Sequence, residues 1–323
     1  MVRQVWAALI AASLAVLGPE PSAAQEYPVR PVKIVVGFAA GSGTDIVARI
    51  VAEELRNALK QPFIVENKPG ANAQIAAETV AHASPDGYTL LLTSNSSHSI
   101  NPHVYRKLPY DPIKDYTPIG RVCDFPLLLV VDPKLPIRTP KELVDYANAN
   151  KGKLNYAYPS RPGQVAGSAL NSLLKLDMNG IAYTSSPPAM QDVAAGREVF
   201  VVTDFASSQG LIKGGKLRPV AVTTAERTSL APDLPPLGEA LGLKGFDLRA
   251  WTGLFGPAKL PQDIADKLSA ELVKILNRPD MRERFVTAGM EPTPLKSAKF
   301  GAFVKEQLEV WGEKVKAAGI EPE

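Results

Sequence analysis

The sequence is poor in the residues that form disulfides, metal centres and nucleic-acid interfaces. It contains one cysteine, Cys123, and three histidines, and its formal net charge is +3 at pH 7. A single cysteine excludes an intrachain disulfide, and no cysteine or histidine spacing is typical of a zinc or iron site. The net charge is too small to indicate a nucleic-acid partner. We therefore expect a protein without a metal, a cofactor or a nucleic-acid ligand.

Long apolar segments are also missing beyond the N-terminal region. Residues 7–17 form an apolar run after a positively charged start, and Ser22-Ala23-Ala24 then fits a small-residue cleavage site. The run is too short to span a bilayer comfortably, which argues against a membrane anchor. These features predict a signal peptide over residues 1–24. We expect the remaining chain, from residue 25, to be a soluble exported protein.

What is present is an ordinary globular composition with alternating strand and helix patterns. Hydrophobic residues make up 45% of the chain and charged residues 21%, and its 323 residues suggest two domains. Short β-branched runs alternate with amphipathic segments, which predicts an α/β protein with parallel strands. Two of the predicted strands are Phe63–Asn67 and Phe125–Val131, and the last is Trp251–Gly256. Two amphipathic helices follow it, from Gln262 to about Ala288 with a break near Pro279, and from Ala298 to Ala317.

A glycine-rich loop follows the first predicted strand, Ile34–Val36. The loop consists of Phe38, Ala39, Ala40, Gly41, Ser42, Gly43, Thr44 and Asp45. We expect both glycines to be free to take positive φ, and Thr44 or Asp45 to cap the helix that follows. A loop of this kind places backbone N–H groups and the positive end of a helix dipole at one point, which favours an anion.

Three known anion loops do not match these residues. The loop lacks the lysine of a P-loop, the position of the third glycine of a dinucleotide loop is Ile46, and Ser42 lies between adjacent glycines rather than in a Gly-x-Ser-x-Gly elbow. A small oxyanion, most simply a carboxylate, remains as the predicted ligand. The alternative is a tight turn that binds nothing.

A run of polar side chains follows the third predicted strand, Tyr88–Thr93. It comprises Ser94, Asn95, Ser96, Ser97 and His98, and Ser99 continues it. Ligands of parallel sheets bind beyond the carboxyl ends of the strands, so this run and the glycine-rich loop should be neighbours. Helix capping is the alternative explanation for one or two of these side chains.

A second strand–loop–helix unit begins at Leu154, with Pro159–Gln164 as its loop. Two such units, joined through buried strands, predict two lobes with a cleft between them. We expect residues 25–124 and 225–323 to form the first lobe, and residues 125–224 to form the second.

Several motifs, in order along the chain, carry a resemblance to a known family. They are Tyr27-Pro28 with Pro31, Gly41-Ser42-Gly43-Thr44-Asp45, Val65-Glu66-Asn67-Lys68-Pro69-Gly70, Pro85-Asp86-Gly87, Leu108-Pro109-Tyr110-Asp111 and Trp251 with Gly253-Leu254-Phe255-Gly256. The sequence resembles the Bug receptors, which are extracytoplasmic solute-binding proteins of tripartite tricarboxylate transporters. The resemblance implies a type II, two-lobed periplasmic binding protein of the Venus-flytrap kind, with a mixed, mainly parallel sheet in each lobe. It further implies a periplasmic, non-enzymatic monomer that binds a small organic carboxylate and works with the membrane components of such a transporter.

The second lobe departs from the family pattern in its first loop, where the usual glycine-rich motif is missing. We nevertheless predict ligand contacts there, from Ser160, Arg161, Gln164, Thr184, Asp204 and Phe205. Arg161 has small or rigid neighbours, so we expect its guanidinium to bind a second carboxylate, which favours a dicarboxylate ligand. Phe38, Tyr158 and Phe205 could instead flank an aromatic acid.

Two other functions compete with transport. A periplasmic sensor that presents its liganded form to a membrane kinase would use the same cleft. A secreted serine hydrolase would use Ser96 or Ser97 with His98, but residues adjacent in one loop rarely form a triad.

Overall fold

The computed structural model describes residues 26–323, so the predicted signal peptide lies outside the described residues. Ten strands lie in this range: β1 (Val32–Val36), β2 (Phe63–Asn67), β3 (Thr89–Ser94), β4 (Tyr116–Val131), β5 (Asn155–Tyr158), β6 (Asn179–Ala182), β7 (Phe200–Asp204), β8 (Arg218–Val222), β9 (Arg249–Pro257) and β10 (Glu291–Lys296). The same range contains α1 (Gly43–Leu59), α2 (Gln74–Ala81), α3 (Asn101–Val104), α4 (Pro140–Ala149), α5 (Arg161–Leu174), α6 (Ser186–Ala194), α7 (Phe205–Lys213), α8 (Leu237–Leu241), α9 (Gln262–Leu276), α10 (Pro279–Thr287) and α11 (Ser297–Ala317).

The strands form a mixed sheet in the order β2-β1-β3-β9-β4-β7-β5-β6, with β10 and β8 also paired to β4. The pairs β1–β2, β1–β3, β5–β6 and β5–β7 are parallel, as the alternating pattern predicts. All pairs that involve β4 or β9 are antiparallel. Each half of the sheet therefore has a parallel part, and long antiparallel strands join the two parts.

The strand β4 connects the two halves. Its first part, from Tyr116 to Pro126, pairs with β9, and its last part, from Leu127 to Val131, pairs with β7. We call the half that contains β1–β3 and β10 the first lobe, and the half that contains β5–β8 the second lobe. This is the two-lobed α/β fold that the sequence predicted. The lobe boundaries at residues 124 and 224 stay a prediction.

Three element assignments from the sequence are wrong. The last strand is β10 rather than Trp251–Gly256, and the apolar run at Phe125 is the end of a strand that already begins at Tyr116. Alternating polar and proline residues hide the first part of β4, and prolines within β10 hide that strand. The third error concerns the second lobe, where α5 begins at Arg161, so that Arg161 and Gln164 lie in a helical first turn and not in a loop.

The C-terminal residues close the fold by packing beside α3. The amide of Glu323 donates to the carbonyl of Val104, and the amide of Arg106 donates to the carbonyl of Glu323, at 2.8 and 2.9 Å. The chain end is thereby fixed next to the start of α5 in the second lobe. Among the described residues, we find no helix with the length and apolar character needed to cross a membrane.

Candidate functional site

The two lobes meet around a small cavity of about 30 Å³. Its polar lining consists of Ser42, Thr44, Ser94, Ser160, Ser186 and Asp204. Its apolar lining consists of Phe38, Phe125, Leu127, Pro159, Pro162 and Ala250, and Gly43 completes it. Both lobes contribute, so the volume of this cavity depends on how the lobes are closed.

Four helices begin at this cavity. They are α1 at Gly43, α5 at Arg161, α6 at Ser186 and α7 at Phe205, and each has a first-turn or capping residue in the cavity lining. The N-terminus of a helix carries a partial positive charge and unsatisfied N–H groups. The convergence of four such ends makes the cavity attractive to an anion, although no lysine or arginine lines it within the described chain.

The first lobe provides free backbone donors. The amides of Gly43 and Thr44 begin α1 and have no carbonyl of the helix to donate to, and no hydrogen bond from either is found among residues 26–323. Ser42 is the N-cap, and its hydroxyl accepts from the amide of Asp45 at 3.3 Å. Two adjacent N–H groups at a helix start are suited to bind the oxygens of a carboxylate.

The two glycines of this loop are needed for different reasons. Gly41 has a φ of 81°, as predicted, because the chain turns there. Gly43 does not have a positive φ, and that expectation is wrong. A Cβ at Gly43 would lie 2.5 Å from Oδ1 of Asp204, so this position is glycine because the second lobe approaches it closely.

Asp45 stabilises the loop. Its carboxylate accepts hydrogen bonds from the Gly41 amide at 3.0 Å, from Nε of Arg49 at 3.0 Å and from Nδ2 of Asn67 at 2.8 Å. Burial raises the pKa of Asp45, but the hydrogen bonds with Arg49, Gly41 and Asn67 outweigh it and hold the pKa below its ordinary value. The prediction that Thr44 or Asp45 caps the helix is wrong, because the cap is Ser42. Asp45 instead holds the loop in place from the first turn of α1, and Arg49 offsets its charge.

Asp204 lies at the end of β7 and is the one charged residue in the cavity lining. Its Oδ1 accepts from the amide of Ser207 at 2.8 Å, which caps α7. Its Oδ2 has a single long contact, 3.4 Å from the hydroxyl of Ser186. Burial raises the pKa of Asp204 above its ordinary value, against the lowering effect of the Ser207 hydrogen bonds.

The polar run after β3 is mostly buried and forms a π-helical turn, Ser96–Ile100. Of the five predicted residues, Ser94 lines the cavity. Ser96 and Ser97 bond to neighbours within the run, Ser96 to the hydroxyl of Ser94 and Ser97 to that of Thr93. Asn95 is fully buried, and neither polar atom of its side chain has a partner among the described residues. A buried amide without partners is typical of a site that receives water or a ligand.

His98 has the environment of a structural residue. Its ring stacks on Phe255 with centroids 4.0 Å apart, and its Nδ1 lies 2.9 Å from the hydroxyl of Ser97. Burial lowers the pKa of His98 to about 3, so the imidazole is neutral at physiological pH. Within the described residues no carboxylate bonds the ring. The Ser97–His98 contact is thus enclosed by aromatic residues and lacks the third member of a triad.

Arg161 does not have the free side chain that the sequence predicted. It is only 2% exposed and does not line the cavity. Its Nε donates to Oδ1 of Asn101 at 3.2 Å, and Nη2 donates to Oε1 of Glu323 at 2.9 Å. Both partners belong to the first lobe, so Arg161 links the lobes from outside the cavity. The C-terminal acid that attracts it is 162 residues away and cannot be identified by local sequence reasoning.

The other predicted site residues fall into two groups. Phe38, Ser42, Gly43, Thr44, Ser94, Ser160 and Asp204 line the cavity. Ala39, Ala40, Gly41, Asp45, Asn95, Ser96, Ser97, His98, Gln164, Thr184 and Phe205 do not line it. Gln164 accepts a hydrogen bond from Arg161, Thr184 is exposed, and Phe205 packs in the core of the second lobe. Contact of any of them with a ligand stays a prediction.

Sequence reasoning missed several lining residues. Phe125 and Ala250 lie where β4 and β9 pass between the lobes, and Ser186 begins α6. The serine could have been found, because a Ser-Ser-Pro-Pro sequence is a typical helix start with serine as cap and proline in the first turn. Among the described residues, no group of histidine, cysteine and acidic side chains could hold a metal ion.

Comparison with known proteins gives the family. The model of the tripartite tricarboxylate transporter family receptor matches residues 47–320. The structure of R. palustris Rpa4515 with adipate has a TM-score of 0.90 and 30% identity, and the match covers 92% of this chain and 100% of that one. The periplasmic binding protein BugD has a TM-score of 0.86 and 34% identity, with 92% and 100% covered. MatC from Rhodopseudomonas palustris with bound malate has a TM-score of 0.82 and 32% identity, with 90% and 100% covered.

Receptors of this family are periplasmic solute-binding proteins, and two proteins similar to this chain have been solved with carboxylates bound. The match extends over most of the chain in sequence and in structure, and the two-lobed fold with its cavity agrees with it. The chain therefore belongs to the tripartite tricarboxylate transporter receptor family, the Bug receptors.

Proposed function

We propose that this protein is a periplasmic receptor that captures a small organic carboxylate by closing its two lobes. It then delivers the ligand to the membrane components of a tripartite tricarboxylate-type transporter. The observation that carries the proposal is the pair of free amides at the start of α1, in a cavity where four helix N-termini converge. Such a site favours a carboxylate over a neutral group.

In this proposal the amides of Gly43 and Thr44 bind one carboxylate of the ligand. The hydroxyls of Ser94, Ser160 and Ser186 surround the same space and add hydrogen bonds. Ser160 caps α5 without using its hydroxyl for the helix, so this group is free for a ligand. The unpartnered side chain of Asn95 supports a water or ligand contact behind Ser94.

The proposal includes the cellular setting that the family implies. Residues 1–24 direct export, the mature chain acts in the periplasm as a monomer, and closure is a hinge movement in β4 near Leu129 and in β9 near Thr252. Scattering measurements at small angles on the mature protein should give a smaller radius of gyration with saturating ligand. An unchanged radius on saturation would contradict closure.

Adipate and malate are the first ligands to test, because they are bound in two similar proteins. In a thermal-shift experiment each acid should stabilise the protein, while its diamide should not. A ligand present at a hundred times its Kd adds about 2.7 kcal/mol to the free energy of unfolding. The panel should include mono-, di- and aromatic carboxylates, and equal shifts from acids and their amides would overturn the carboxylate proposal.

A further inference from the structure

The charges at the cavity suggest which carboxylate would fit. Arg161, which the sequence predicted to bind a second carboxylate, bonds instead to Asn101 and Glu323. No basic side chain of the described residues lines the cavity. The remaining charged side chain of the lining is the acid Asp204, which comes from the second lobe. The far wall of the cavity therefore presents a hydrogen-bond acceptor where a dicarboxylate receptor would need a donor.

Asp204 also lies close to the proposed carboxylate site. Its Oδ1 and Oδ2 would be 2.5 and 3.1 Å from a Cβ at Gly43, beside the first free amide of α1. Oδ1 is occupied by the amide of Ser207, but Oδ2 has only the long contact with Ser186. A ligand whose carboxylate binds the α1 amides would thus have its neighbouring atoms next to Oδ2.

Other charges around Asp204 do not neutralise it. On the elements that adjoin the cavity, the charged side chains pair with one another: Asp45 with Arg49, Glu54 with Arg278, Glu53 with Arg284, Asp124 with Arg121, Arg161 with Glu323, Asp192 with Arg197, and Arg249 with Glu291. Lys213 lies at the opposite end of α7 from Asp204. Cys123 is buried, which raises the pKa of its thiol and keeps it neutral.

We propose that Asp204 selects carboxylates that carry a hydrogen-bond donor on the adjacent carbon, an ammonium group above all and a hydroxyl group next. This inference rests on the proposed function and narrows its ligand class. The ligand carboxylate binds the α1 amides, and its 2-amino or 2-hydroxy group donates to Oδ2 of Asp204. The donor separates two carboxylates that would otherwise repel each other.

The same geometry predicts a dependence on pH. An acid without a donor brings a second negative charge next to Asp204, so Asp204 must take up a proton when such an acid binds. Its affinity should fall by up to about tenfold for each pH unit above the pKa of Asp204 in the free protein. A 2-amino acid needs no proton uptake, and its affinity should stay level over the same range.

The test is calorimetry with four acids of equal chain length: butanoate, 2-hydroxybutanoate, 2-aminobutanoate and butanedioate. The wild-type protein should bind the amino acid most tightly and butanedioate most weakly, with at least about a tenfold difference between the amino acid and butanoate. In titrations at about pH 6 and about pH 8, only butanoate and butanedioate should bind more weakly at the higher pH.

Asp204→Asn should reduce the preference for the ammonium group and remove the pH dependence for butanoate. Asparagine and serine are both good N-cap residues, so Asp204→Ser is a second variant that preserves the start of α7. The matched control is Asp145→Asn, which removes an exposed carboxylate of α4 in the same lobe. Its ligand ranking should equal that of the wild type.

The possible failures are distinguishable. If no carboxylate binds the wild-type protein, including adipate and malate, the receptor proposal fails. If carboxylates bind but butanoate equals its 2-amino and 2-hydroxy forms, the role of Asp204 is overturned and the receptor proposal survives. The same holds if adipate or malate binds and none of the four acids does, or if both Asp204 variants keep the wild-type ranking and pH dependence.

Discussion

The two lobes each contain a strand followed by a helix that starts at the cavity, but α1 and α5 use their polar residues differently. In the first lobe, the acid of the loop is offset by Arg49, and two backbone amides stay free. In the second lobe, Pro162 removes one amide donor of the first turn, and the base Arg161 bonds away from the cavity to Asn101 and Glu323. The equivalent positions thus offer two backbone donors to the cavity in α1 and a link between the lobes in α5.

The difference shows that topological equivalence does not predict side-chain function. Both helices offer a positive dipole end to the cavity, since that depends on backbone geometry alone. Where a long charged side chain goes depends on its partners in space. Glu323 is available to Arg161 only because the C-terminal residues pack beside α3.

The largest expected effect comes from breaking the loop of the first lobe with Asp45→Asn. The substitution replaces a buried carboxylate that accepts from Gly41, Arg49 and Asn67. Hydrogen bonds to a charged group contribute about 1.5–3 kcal/mol, so the free energy of unfolding at pH 7 should fall by about 3 kcal/mol. Urea denaturation measures it, with Asp145→Asn as the control for an exposed carboxylate.

The pH dependence of this stability difference tests whether the charge of Asp45 is responsible. Because the folded-state pKa of Asp45 is below its ordinary value of 3.8, its contribution is fully present well above pH 3.8 and is lost as the pH falls through the folded-state pKa. The stability gap between wild type and Asp45→Asn should therefore narrow in acid. A gap that stays constant down to about pH 2 would contradict the charged role of Asp45.

Arg161→Ala tests the link in the second lobe. It removes charged hydrogen bonds that join the lobes, so closure should weaken and ligand affinity should fall by about 2 kcal/mol, roughly thirtyfold. The loss should be the same for a dicarboxylate and its monocarboxylate analogue. Calorimetry on both ligands measures it, with Arg197→Ala as an exposed arginine control in the same lobe. A selective loss of the dicarboxylate would mean that Arg161 contacts the ligand after all, as the sequence predicted.

Gly43→Ala tests whether binding needs the close approach of the second lobe to the start of α1. The added methyl group would lie 2.5 Å from Oδ1 of Asp204, so the lobes could not approach as closely. We expect a loss of affinity of about 1.4 kcal/mol, or tenfold, without a loss of thermal stability, since alanine is favoured over glycine in a helix. Gly210→Ala in α7, where a methyl group meets nothing within 4 Å, should leave affinity unchanged. Unaltered affinity in Gly43→Ala would show that the contact with Asp204 is not needed for binding.

Glu323→Gln should give the smallest effect. The side chain of Glu323 is 64% exposed, so its ion pair with Arg161 is weakened by solvent. Pairs of this kind contribute at most about 1 kcal/mol, and ligand affinity should fall by less than about fivefold. The difference should disappear at high salt. Glu321→Gln, in the same exposed segment, is the control, and a loss that persists at high salt would argue for a structural role instead.

Local patterns were sufficient for most elements of the first lobe. The predicted strand Phe63–Asn67 agrees with β2, and the break near Pro279 separates α9 from α10. The loop from Phe38 to Asp45 is located correctly because its glycines and the apolar period of α1 are local features, although the cap is Ser42 rather than Thr44 or Asp45. The first part of β4 was missed, since its stability comes from pairing with β9 more than one hundred residues away.

The sequence by itself determined the fold class, the family and the position of the glycine-rich loop, because periodicity, turn residues and motif order are written along the chain. Only the tertiary structure decided which side chains reach the cavity. Burial enclosed His98 between aromatic rings, Glu323 drew Arg161 away from the cleft, and the approach of the lobes set Asp204 against Gly43. Each of these contacts joins residues far apart in sequence or depends on the packing around them, and its energy exists only after the chain has folded.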